Sequence, residues 1–179
     1  MDITYDPFLI IILAISILVV MVITLVFLLK AKKFDRYYFA TILFGVYLVF
    51  LIKFVIFPFT IFGNLLDAGS YAITDYVNVI PFMQGAGLYQ IMGNVMLLFP
   101  FGVYVSVIKP KLSFGRVFCV GLLTSVMIES VQLFLDIVFI YPNHFMDITD
   151  VILNVSGFVL GCLICRISFI RNMYQIEKN

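Results

Sequence analysis

Long, predominantly apolar runs alternate with polar breaks along the chain, and the pattern predicts five helices. The first run covers 8–29 and stops at Lys30, Lys32 and Lys33. The second covers 37–57, is interrupted by Lys53 and ends at Pro58. The third covers 91–108 and is closed by Lys109, Pro110 and Lys111. Ser113 suits the N-cap of a fourth helix over 114–137. A fifth covers 148–170. Each approaches the roughly 20 apolar residues that cross a bilayer as a helix. Lipid offers no partner to backbone polar groups, so such runs must be helical. The fold class expected is an all-α integral membrane protein. It forms a single membrane domain over 1–179, a bundle of about five transmembrane helices.

The stretch 61–90 does not fit the pattern. It holds Gly63, Gly69, Gly85 and Gly87 among Asn64, Asp67, Asp75, Asn78 and Gln84. It is too polar to span and too apolar for a free linker. Tyr71, Tyr76 and Tyr89 suit the headgroup zone. An extracellular interfacial or re-entrant segment is expected there.

Composition agrees with the pattern: 64% of residues are hydrophobic and 12% charged. A soluble domain would be about a quarter charged. The net charge of +1 points to no nucleic-acid partner. The first apolar run is long, follows Asp2 and Asp6, and reads as a membrane helix rather than a signal peptide. Cys119, Cys162 and Cys165 all lie in apolar runs and read as packing residues. Ten of the eleven basic residues fall on one side of a five-span arrangement, Lys53 being the exception. That side is expected to be cytoplasmic, with the N-terminus outside.

Depth then locates the candidate chemistry. Glu129 follows Arg116 by 13 positions, about 20 Å along a helix, which places it in the outer half of the bilayer. Asp150 and Asn154 open the fifth span from outside, Asn94 opens the third, and Lys53 lies near the outer end of the second. Charges within a membrane normally face the bundle interior and find partners. One polar pocket toward the outer leaflet is expected, built from Lys53, Asn94, Glu129, Gln132, His144, Asp147, Asp150 and Asn154.

Each of these residues also has a purely structural explanation. Asn94, Gln132 and Asn154 could be interhelical hydrogen-bonding groups. Asp147 is placed to cap the fifth helix, with Asp150 at its third position. Lys53 could extend outward past Phe57, or pair with Glu129 or Asp150. His144 could be a solvated loop residue, a pH-sensitive base or a weak metal ligand. Glu129 is the hardest to assign to packing alone. No phosphate-binding glycine loop, nucleophile elbow or metal-binding pattern appears. No metal and no cofactor is expected.

Four short motifs occur in order. Asn78-Val79-Ile80-Pro81-Phe82 comes first, then Gly93-Asn94-Val95 with Phe99-Pro100-Phe101-Gly102. Glu129 and Gln132 form E-x-x-Q, and Asp147-Ile-Thr-Asp150-Val-Ile-Leu-Asn154 precedes Gly157 and Gly161. Together, over about 78–161, they resemble the VanZ-like membrane protein family. The resemblance adds Asn78 to the candidate ligand-binding residues. Family members often carry a basic residue, commonly Arg, where this chain has His144. The resemblance implies a bacterial plasma-membrane protein of the cell envelope, associated with teicoplanin resistance.

Three functions follow. The first is a pocket that binds membrane lipids, a lipid-linked cell-wall precursor or a lipoglycopeptide. The second is an intramembrane enzyme with Glu129 or Asp150 as catalytic general base. The third is a lipid transporter, which with so few helices would need a dimer.

Overall fold

The computed structural model describes residues 7–30, 36–56, 76–82, 87–138 and 146–176. Its elements run α1 (Pro7–Lys30), α2 (Arg36–Ile56), β1 (Val77–Asn78), α3 (Leu88–Ile108), α4 (Phe114–Val138), β2 (Met146–Asp147) and α5 (Ile148–Ile176). All five helices are long and apolar enough to cross a membrane. The protein is a multi-pass, all-α membrane bundle.

The expected spans hold, with two differences. α3 begins at Leu88, so Leu88, Tyr89 and Gln90 belong to the helix and not to the preceding segment. α5 continues to Ile176, because its polar last turns around Arg171 and Asn172 still suit a helix. Most of 61–90 lies outside the described residues, and the interfacial or re-entrant expectation with it. Residues 76–82 do not run free. β1 pairs with β2 in parallel, Val77 opposite Met146 and Asn78 opposite Asp147. Met146 N–H adds a bond to Tyr76 O at 2.9 Å.

α3 and α5 form the closest pair, and small residues permit it. A Cβ on Gly157 would collide with the Val95 carbonyl, and one on Gly161 with the Phe99 carbonyl. A Cβ on Gly102 would collide with the Phe158 carbonyl. Without side chains the two backbones meet directly, and packing and interhelical hydrogen bonds are what hold membrane helices together. Ser106 donates to Cys162 O at 3.2 Å, and Cys162 Sγ to Gly102 O at 3.2 Å. Cys162 is therefore a buried packing residue, as its setting predicted.

α4 joins through Phe158, which is fully buried. Its ring seats against Gly121 of α4 and meets Phe101 of α3 edge-on at 5.2 Å. Ser125 of α4 donates to Val151 O at 3.4 Å. α2 packs on α3 through Phe44, stacked on Tyr104 at 3.9 Å, and through Tyr47, whose hydroxyl donates to Leu97 O at 2.7 Å. That carbonyl lies one residue after Met96, whose own carbonyl loses its helical donor to Pro100. α1 packs on α2, where Gly45 makes room for Thr24. Much of α1 is exposed apolar surface, suited to lipid.

At one end of the bundle lie the two short strands, the starts of α3 and α5 and the finish of α4. We call it the strand end. Lys109, Lys111 and Arg116 mark the opposite end.

Candidate functional site

The strand end gathers most of the predicted polar residues. Asp150 lies in the first turn of α5. Its Oδ1 accepts from Gln90 Nε2 at 3.0 Å and from Asn94 Nδ2. Gln90 and Asn94 are four apart on α3, so one helix face presents both amides to one carboxylate.

Asp147 closes β2 immediately before α5. Its Oδ1 accepts from Thr149 N–H at 2.7 Å, the geometry of an N-cap. Its Oδ2 accepts from Asn78 Nδ2 at 3.1 Å. Asp147 therefore caps the helix and also fastens the Asn78–Phe82 loop to it. The same loop is held twice more. Asn78 Oδ1 accepts from Ile80 N–H at 3.2 Å, and the buried Thr149 hydroxyl accepts from Phe82 N–H at 2.9 Å. Phe82 has φ 59°, a left-handed conformation that costs a non-glycine residue about 1–2 kcal/mol. The Thr149 contact helps to hold it there.

Glu129 projects from α4 and is only 2% exposed. It accepts a hydrogen bond from the Asp147 backbone and lies within electrostatic reach of the Asp150 and Asp147 carboxyls. The Ser125–Val151 contact sets this level, because one turn further along α4 brings Glu129 beside Asp147.

Asn154 lies one turn beyond Asp150 on the same face of α5, and it is 1% exposed. Neither its Nδ2 nor its Oδ1 has a hydrogen-bond partner. Each such buried, unmet polar group costs about 1–3 kcal/mol, and native proteins carry few of them.

Gln132 is half-buried on the Glu129 face of α4. Lys53 is exposed on α2, and among the described residues no ion pair joins it to Glu129 or Asp150. His144 lies outside the described residues. Among those residues, no group of three or more His, Cys, Asp or Glu side chains could hold a metal ion.

Two polar residues toward the strand end lie outside the expected set. Gln90 was hidden because the third span was started one residue after it. Asp136 is fully buried near the end of α4. Its spacing of seven from Glu129, with Gln132 between, continues one helical stripe and would have revealed it.

The arrangement is a set of carboxylates whose described donors are amides and backbone N–H groups, with an unsatisfied amide beneath. It suits recognition of a ligand rich in hydrogen-bonding groups. A family model described as VanZ/LLP1 matches residues 44–170. Protein VanZ of Enterococcus faecium is 32% identical over 119 residues, covering 66% of this chain and 68% of that protein. No solved structure matches the chain. The family match takes in α3, α4 and α5 down to residue 170, with both strands and every polar residue of the strand end, and on it the chain belongs to the VanZ/LLP1 family.

Proposed function

We propose that the strand end faces the cell exterior and binds the polar headgroup of a lipid-linked envelope component or of a lipoglycopeptide. In this role the protein gives a bacterial plasma membrane VanZ-like, teicoplanin-type resistance. The basic residues at the opposite end support this orientation, with the N-terminus outside and the C-terminus cytoplasmic.

The observation that carries the reading is Asn154: a buried amide with both polar atoms unmet, one turn below Asp150. A residue that served only packing would be replaced at no loss by an apolar one. A residue that waits for a ligand must stay polar and unpaired until the ligand arrives. Glu129 and Asp150 then accept hydrogen bonds from ligand hydroxyls or amides. Asn94 and Gln90 hold the Asp150 carboxylate in place. Lys53 and His144 would supply positive charge for anionic parts of the same molecule.

Native mass spectrometry of the purified protein with teicoplanin, and separately with an undecaprenyl-linked cell-wall precursor, tests the reading. A one-to-one adduct with either molecule, lost in Glu129→Gln and Asn154→Leu, is expected. Adducts of equal strength in wild type and both variants would place binding elsewhere.

A further inference from the structure

Away from the strand end, α2 and α3 border an apolar groove of about 680 Å³. Its walls run from Phe39 to Tyr47 and from Phe99 to Val107, each about 12 Å along its helix. Phe44 and Tyr104, stacked at 3.9 Å, join the two walls. Ala40 and Pro100 add little bulk between the larger side chains, which leaves the space open. No lining side chain is charged. Both walls belong to membrane spans, so hydrocarbon and not water meets the groove.

The charge at its mouth is a separate observation. α2 begins at Arg36, three residues before Phe39, and α3 gives way to Lys109 two residues after Val107. The groove therefore opens within one helical turn of a basic residue on each wall. Lys109 and Lys111 are exposed. They stand on a pinned turn: Leu112 N–H donates to Lys109 O at 3.1 Å, and Arg166 Nη2 donates to Leu112 O. The carboxylate side chains among the described residues, Glu129, Asp136, Asp147 and Asp150, all lie toward the strand end. None of them stands at the basic end to neutralise these lysines.

We propose that the groove binds one acyl chain of an anionic phospholipid, whose phosphate group meets Lys109 and Lys111. Such a lipid matches both features, an apolar chain for uncharged walls and a negative head for a mouth without carboxylates. Basic residues beside a span draw anionic lipid, and basic pockets between helices on the cytoplasmic side take such headgroups. A free phosphate would use the lysines and leave the groove unused. The site is separate from the strand end, and only its assignment to the cytoplasmic leaflet rests on the orientation proposed above.

Two photoreactive lipids test this on the full chain in phosphatidylcholine vesicles. One is phosphatidylglycerol with a diazirine on an acyl chain, and the other is phosphatidylcholine with the same chain. Cross-linked peptides are mapped by mass spectrometry. The phosphatidylglycerol probe is expected to label 39–47 and 99–107 at least about five-fold more than the phosphatidylcholine probe. The paired change Lys109→Gln and Lys111→Gln is expected to bring that ratio near one. Its thermal midpoint should stay within a few degrees, because both side chains are exposed. Ala40→Phe, which fills the groove and leaves the lysines in place, is expected to remove most of the phosphatidylglycerol labelling. Equal labelling by the two probes in the wild type would overturn the proposal, as would wild-type labelling retained by the lysine variant or by Ala40→Phe. None of these results alters the expected outcome at the strand end.

Discussion

Asp147 does two structural tasks with one carboxylate, capping α5 through Thr149 and tying β1 down through Asn78. Asp147→Ala should therefore cost more than an ordinary lost cap, which is about 1 kcal/mol and at most about 2. We expect a loss of about 2 kcal/mol in detergent unfolding, with Asp147→Asn recovering part of it because its side-chain oxygen still caps Thr149. Equal stability of all three would remove the cap from the account. Asn154 predicts the opposite sign. Replacing an unmet buried amide by a similarly sized apolar group is neutral or stabilising, so Asn154→Leu should unfold no earlier than wild type. Glu129, Asp150 and Asn154 were legible in the sequence, since polar groups inside apolar runs stand out. Gln90 was not, for it sits at a helix start where polar residues are ordinary, and Asp136 was legible only through its helical spacing from Glu129.

At the scale of elements, hydropathy locates spans well because membrane burial demands a long apolar helix. It could not reveal the β1–β2 pair, since two-residue strands have no period to detect. Nor does hydropathy tell which helices touch. That lies in small residues, and the α3–α5 contact rests on Gly102, Gly157 and Gly161. Gly157→Ala and Gly161→Ala should each push α5 from α3 and lower the unfolding midpoint markedly, because the obstructing atoms are backbone carbonyls. Gly93 on exposed α3 surface is the control, with nothing within 4 Å of an added Cβ. Gly93→Ala should be neutral or stabilise by up to about 1 kcal/mol through helix propensity. If all three substitutions behave alike, close backbone packing is not what holds the pair.

For the whole molecule, charge at the two ends is the organising asymmetry. Basic residues gather at one end, and carboxylates and amides at the other. In intact cells, a C-terminal green fluorescent protein fusion should fluoresce, and an N-terminal epitope should be open to an impermeant antibody. The reverse pattern would put the polar cluster on the cytoplasmic side and end the headgroup proposal. The central claim is that the strand end is polar for a ligand and not for the fold. Asn154→Leu separates the two. We would measure teicoplanin susceptibility of a Gram-positive host carrying the wild-type or the Asn154→Leu chain at matched membrane levels. The account predicts that the variant, folded and no less stable, gives no protection where the wild type does. Full protection by Asn154→Leu would contradict it.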